Sequence, residues 1–166
     1  MSRDELAIGP AIPGFALRIL GVAVAAGAVI ALQPAPFWQV AAFVLAGAGA
    51  VFPRTGLAWV ALMVVPLALI LDDASPSRTA IAIAAVHLGH VLASLTLAIP
   101  GRSRVALAAL APTARRWLGI QLVSQAVAAA VLLVPRAGGS GLAWAAPVGA
   151  IAVALLAYLL LRRTNS

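Results

Sequence analysis

The sequence predicts an all-α protein: a polytopic transmembrane helical bundle with six spans and both termini in the cytoplasm. Three observations predict this fold class. Hydrophobic residues make up 64% of the chain and charged residues 9%, whereas soluble domains are nearer half apolar and a quarter charged. The apolar residues form six runs separated by turn residues. The arginines collect at alternate ends of these runs, as in membrane proteins.

A single transmembrane bundle is predicted over residues 15–163, between an N-terminal tail (1–14) and a C-terminal tail (164–166). Its spans cover 15–32, 37–52, 57–71, 80–99, 118–134 and 142–161. Prolines and glycines make the N-terminal tail irregular or interfacial. A hydrocarbon core about 30 Å thick needs about 20 helical residues, so the second and third runs are short for spans.

The first run, 15–32, carries Arg18 near its start, from where a guanidinium can reach the membrane surface. A cleaved signal peptide has a similar pattern of positive start, apolar core and proline-rich break. Gln33 and Pro34 stand where cleavage needs small residues, which favours a retained span.

The second and third runs enclose the turn 53–56, and Pro66 predicts a kink in the third. A re-entrant hairpin entering from outside is the alternative to two full spans. It would place Arg54 deep in the bilayer, at a cost of about 2.5–3.5 kcal/mol without a partner. No acidic residue is close in sequence, so two full spans are favoured.

The fourth run, 80–99, holds both histidines of the protein. His87, His90 and Ser94 share one helical face because they are spaced i, i+3 and i+7. Small residues repeat every fourth position beside this face, at 85, 89 and 93, and predict close approach of another helix.

The connection 100–116 carries four arginines around an apolar centre, 105–111, that is too short to span and is predicted to lie along the membrane surface. In the fifth run, Gln121, Ser124 and Gln125 share one face. Depths counted from the helix ends predict that this face meets that of the fourth run, with His90 and Gln125 as near neighbours. The six residues form a candidate polar seam: His87, His90, Ser94, Gln121, Ser124 and Gln125.

Arginine counting sets the predicted orientation. Six spans place nine arginines on one side and two, Arg78 and Arg136, on the other, and the richer side is cytoplasmic. Four tryptophans are expected in the first turn of their spans, as membrane-interface anchors. These are Trp38, Trp59, Trp117 and Trp144.

A weak internal repeat relates residues 53–59 to 135–144: both contain Pro-Arg and end in Gly-Leu-Ala-Trp. An inverted repeat of three helices each, as in many transporters, would produce it. Two turns flanked by interface anchors, in a chain rich in Ala, Leu and Gly, are the favoured explanation.

Several function classes lack their residues in this sequence. No cysteine is present, and no zinc-protease, P-loop or dinucleotide motif occurs, so no catalytic residues and no enzymatic activity are predicted. The scattered arginines do not form a nucleic-acid surface. The seam is either a structural hydrogen-bonded contact or a passage for protons, ions or polar ligands. A zinc site is disfavoured because His-x-x-His supplies two ligands where zinc takes three or four. A haem held by both histidines is disfavoured because residues three apart on one helix do not easily reach opposite faces of one porphyrin, which leaves one histidine as a single axial ligand.

The first functional hypothesis is a small integral membrane protein acting as an accessory or scaffold subunit of a bacterial membrane complex. The alternatives are a small transporter or channel using the His/Gln seam, or a haem- or metal-binding subunit. Exclusive use of arginine over lysine, with abundant alanine, indicates a GC-rich bacterial genome and so a multi-pass protein of the bacterial plasma (inner) membrane. The expected partners are the lipid bilayer and other membrane subunits, with no cofactor and no nucleic acid.

Overall fold

A computed structural model of the chain describes residues 9–72 and 75–133. These residues form five α-helices, a short 3-10 helix (Pro53–Thr55) and two three-residue strands. The helices are α1 (Gly14–Leu32), α2 (Pro36–Val51), α3 (Leu57–Leu71), α4 (Pro76–Ala98) and α5 (Leu107–Leu133), and the strands are β1 (Ala11–Pro13) and β2 (Arg104–Ala106). The predicted helical fold is therefore confirmed for the described part of the chain.

Some predictions fall outside the described residues. These are the first eight residues of the N-terminal tail, the sixth span at 142–161, Trp144, the C-terminal tail and the second copy of the repeat.

Proline and serine set the helix starts. Pro36 and Pro76 occupy the first turns of α2 and α4, where the missing N–H costs nothing. The Ser75 hydroxyl accepts a hydrogen bond from the Arg78 backbone N–H at 3.3 Å and caps α4. This cap explains why α4 begins before Ala80, where the predicted span started.

The helices α1 to α4 pack as a four-helix unit in which α1 contacts the other three. Its interior is built from small and branched apolar side chains. One cluster joins Ala28 and Leu32 to Val65 and Ala82, and a second joins Ala25 to Ala46 and Ala61. Because the alanine side chain is small, the helix axes approach closely at these positions. The close approach brings many atoms of the two helices into van der Waals contact.

Close helix approach is clearest where α2 meets α3. A Cβ added at Gly49 would lie only 2.9 Å from the Cα of Ala58. On α4, Ala85, Gly89 and Ala93 are all buried, which confirms the predicted small-residue stripe as a packing face.

The strands β1 and β2 pair antiparallel, with Ile12 opposite Val105. The pairing continues through the N–H of Gly14, which donates to the carbonyl of Ser103 at 2.7 Å. The ribbon joins the start of α1 to the start of α5. We call the end of the bundle formed by residues 9–18, 50–56 and 99–106 the ribbon end. The sequence predicted no strand here.

The helix α5 begins at Leu107, well before the start at Leu118 predicted for the fifth span. Residues 107–116 are thus helical and do not form a separate surface segment, while Val105 belongs to β2. Pro112 lies inside α5 and removes one backbone hydrogen bond. Arginine is a good helix former, which allows the helix to continue through Arg115 and Arg116.

Two of the described helices, α1 and α4, are long and apolar enough to cross a membrane. At 1.5 Å per residue they measure about 28 and 34 Å. The helices α2 and α3 are apolar but shorter, with 16 and 15 residues.

Candidate functional site

The contact between His87 and Gln121 joins α4 to α5. Nδ1 of His87 lies 3.3 Å from Oε1 of Gln121, so the tautomer with its proton on Nδ1 donates a hydrogen bond to the amide oxygen. Gln121 is buried, with 7% of its surface exposed, and His87 is half-buried. The structure therefore brings together two residues of the candidate seam, one from each helix.

Gln125 lies on the same face of α5 but bonds elsewhere. Its Nε2 donates to the carbonyl of Ala80 at 2.9 Å. Ala80 and His90 are about 15 Å apart along α4, so the prediction that His90 and Gln125 are near neighbours is wrong. The reason is that α5 begins at Leu107 and not at Leu118. Gln125 therefore lies farther along the helix than predicted, and it faces the beginning of α4.

His90 faces α3 instead of α5. Its ring meets the indole of Trp59 edge to face, with centroids 4.2 Å apart and planes at 87°. The hydroxyl of Ser94 donates to the carbonyl of His90 at 2.9 Å, within α4 itself. The face predicted from the histidine spacing is thus divided, with His87 directed to α5 and His90 to α3.

An open cavity of about 370 Å³ lies beside His87. His87 and Ser124 are its only polar lining residues within the described ranges; the remainder is apolar and comes from α3 and α4. These apolar residues are Pro66, Leu69, Ala82, Ile83 and Val86. An imidazole at the edge of an apolar groove can transfer a proton or hydrogen-bond a small polar group.

The two histidines do not converge on one point, since they contact different helices. Within residues 9–72 and 75–133, no three His, Asp or Glu side chains come close enough to share a metal ion.

A second site, which the sequence analysis missed, lies at the ribbon end. Arg18, Arg54 and Arg102 line one cavity of about 640 Å³. The predicted topology collects all three arginines on one side, and this was the indication of the site that the sequence contained. Their convergence depends on the helix neighbours, and the sequence alone does not reveal those.

Arg78 holds the opposite end of the bundle together. Its Nη1 pairs with a carboxylate oxygen of Asp72 at 2.5 Å, and its Nη2 donates to the carbonyl of Leu32 at 2.8 Å. The Leu32 carbonyl closes α1, where a cation offsets the negative end of the helix dipole. One side chain thus links the ends of α1 and α3 to the start of α4.

The tryptophans occupy different places in their helices. Trp38 and Trp59 lie in the first turns of α2 and α3, as predicted. Trp117 lies in the third turn of α5, because α5 begins at Leu107. Its indole Nε1 is buried and has no hydrogen-bond partner within the described residues.

No family model, curated protein or solved structure matches this chain. The residues and contacts of the chain itself are therefore the basis for assigning a function.

Proposed function

We propose that this chain is a small multi-pass protein of a bacterial plasma membrane and serves as an accessory or scaffold subunit of a membrane complex. One observation carries the proposal: the helical unit is filled with small apolar side chains and exposes large ones. Such an exterior suits lipid or a protein partner and not water.

The exposed apolar side chains are spread over every described helix. Phe37, at the start of α2, is 71% exposed, and Ile70, at the end of α3, is 78% exposed. Further examples are Ile19, Ile30, Val44, Met63, Ile81 and Val123. A soluble protein rarely exposes so many large apolar side chains.

The filled interior favours a structural role over conduction through the four-helix unit. The cavity lined by all four helices, with Arg18 among its lining residues, measures about 30 Å³, roughly the volume that one water molecule takes up in the liquid. Its lining is mainly glycine, alanine, valine and leucine. A close-packed centre of this kind suits a rigid element that presents its outer faces to other subunits.

Charge and geometry support the orientation that we propose. Arg18, Arg54, Arg102 and Arg104 lie at the ribbon end, and Arg78 lies at the other. The positive-inside rule then puts the ribbon end in the cytoplasm. Because the turn between α2 and α3 reaches the ribbon end, we propose that both helices cross the membrane, in a six-span chain with cytoplasmic termini.

Cysteine labelling tests this orientation, since the natural chain has no cysteine. With a membrane-impermeant maleimide on intact cells, we expect Ser77→Cys to react and both Thr55→Cys and Ser103→Cys to stay unlabelled until the membrane is opened. Ser77 is preferred to Ser75 because the Ser75 hydroxyl caps α4. Labelling of Ser103→Cys in intact cells would overturn the orientation. A Thr55→Cys protein that stays unlabelled even after the membrane is opened would indicate a re-entrant hairpin.

Site-specific photocrosslinking in native membranes tests the scaffold role. A photoreactive amino acid is placed at one exposed position on each helix. The positions are Ile19, Val44, Met63, Ile81 and Val123. We expect at least one face to yield a crosslinked protein of a single defined mass, while the others yield lipid adducts. Lipid adducts at all five positions, together with a monomer in mild detergent, would contradict the proposal.

A second candidate function, passage of protons or small polar solutes, rests on the contact between His87 and Gln121 beside the 370 Å³ cavity. Ionisable groups within membrane helices are often functional. Replacing His87 by leucine separates the two candidates. A scaffold should lose about 0.6 kcal/mol of unfolding free energy, the average for one interhelical hydrogen bond, and keep its partner.

A passage site should instead lose flux in proteoliposomes while the protein is still produced at its normal level. Ser94→Ala is the matched control, because the Ser94 hydroxyl bonds only within α4. Flux that is present without any partner and absent in the His87→Leu protein would favour the second candidate over the first.

A further inference from the structure

We propose that Arg18, Arg54 and Arg102 form a binding site for a phosphate-bearing anion, either a phospholipid headgroup or a free phosphate compound. The three residues come from α1, from the turn between α2 and α3, and from the segment after α4. This site is distinct from the seam of α4 and α5 and does not depend on the scaffold role.

Charge is the first argument for the site. Three arginines line one open cavity of about 640 Å³, and no acidic residue appears among the lining residues that the structure describes. Like charges gathered without compensation repel one another, and an anion between them removes that repulsion. The planar N–H fork of arginine fits phosphate oxygens in pairs.

The position of Arg18 is the second argument. Its Nη1 donates to the carbonyl of Ala50 at 3.0 Å, which fixes the side chain against the end of α2. Its Nε–H is buried and has no partner among the described residues. A guanidinium has five N–H donors, so this one is held in place and retains unused hydrogen-bonding capacity.

The Arg18 guanidinium packs against Gly101, which has no side chain. A Cβ added there would lie 3.3 Å from the Cζ of Arg18, so any side chain would crowd it. Arg54 and Arg102 also line this cavity and are exposed. One anchored arginine and two accessible ones suit a ligand that arrives from the cytoplasmic surface or from the inner leaflet.

The test uses the full chain purified in uncharged detergent. Native mass spectrometry measures retention of phosphatidylglycerol against phosphatidylcholine, and calorimetry measures binding of inorganic phosphate and pyrophosphate. The variant carries Arg54→Gln with Arg102→Gln, because Arg18 also has a structural contact. The matched control carries Arg115→Gln with Arg116→Gln, which removes the same charge from exposed positions of α5 that do not line the cavity.

We expect the natural chain to bind at least one of these ligands, the Arg54/Arg102 variant to lose about tenfold in affinity, and the control to change less than about twofold. Preference for phosphatidylglycerol with no binding of the free anions identifies a lipid headgroup as the ligand. Binding of phosphate or pyrophosphate without lipid preference identifies a free anion. Failure of all these ligands to bind, or equal losses in the two variants, would overturn the proposal.

Discussion

Replacing Gly49 by alanine should lower the free energy of unfolding by about 1–3 kcal/mol, the usual cost of overpacking a well-packed core. The new methyl group would lie 2.9 Å from the Cα of Ala58. Backbone atoms cannot rotate away as a side chain does, so α2 and α3 would have to separate. Titration of the protein in mixed micelles with sodium dodecyl sulfate measures the loss, and Gly49→Leu should enlarge it.

Gly47→Ala is the control for this prediction. It lies one half-turn away on α2, and a Cβ there meets no atom within 4 Å. Alanine is the better helix former by up to about 1 kcal/mol, so this variant should be as stable as the natural chain or more stable. Equal losses at the two positions would mean that the contact between Gly49 and Ala58 does not limit the approach of the helices.

Replacing Arg78 by methionine should cost about 2 kcal/mol, because hydrogen bonds to charged groups contribute about 1.5–3 kcal/mol. The change leaves the carbonyl of Leu32 without its guanidinium donor and Asp72 without its cation. It does not disturb the cap of α4, since the Ser75 hydroxyl accepts from the backbone of Arg78. The same denaturant titration measures the effect.

Asp72→Asn separates the two contributions of Arg78. Asp72 is 54% exposed, and an exposed ion pair contributes about 0–1 kcal/mol. We therefore expect most of the loss to come from the contact with Leu32, and Arg115→Met, at an exposed position, to change little. A loss in Asp72→Asn as large as in Arg78→Met would assign the stabilisation to the contacts of Asp72 and not to the hydrogen bond between Arg78 and Leu32.

The ends of the first three helices could be predicted closely from the sequence. The predicted span 57–71 coincides with α3. The span 15–32 differs from α1 by one residue at its start, and 37–52 differs from α2 by one residue at each end. These boundaries could be predicted because the prolines at 34 and 36 and the turn 53–56 interrupt a helix through their own backbone geometry, without any contact from remote residues.

The start of α5 could not be predicted by the same reasoning. The sequence predicts a connection over 100–116 because four arginines flank an apolar centre that is too short to span. An apolar run shows which residues can lie in the hydrocarbon core. Helix formation depends instead on the helix propensity of each residue, which does not require an apolar side chain. The helix therefore extends through polar positions that a hydropathy pattern excludes.

The hydrogen-bond partners of the seam residues could not be predicted from the sequence either. Spacing places Gln121 and Gln125 on one face of a helix, and the structure confirms that Gln121 meets His87. Which residue of α4 each glutamine meets depends on how far α5 slides along α4, and that is set by the distant pairing of β1 with β2. Such pairing between remote residues leaves no local signal in two three-residue strands.

The β-ribbon also restricts how the chain can be threaded through a bilayer. Ile12 and Val105 pair directly, so both must lie on the same side of any membrane that the chain crosses. The chain between them can then cross only an even number of times. A topology in which one of α1 to α4 fails to cross would place Ile12 and Val105 on opposite sides of the membrane, and the ribbon could not form.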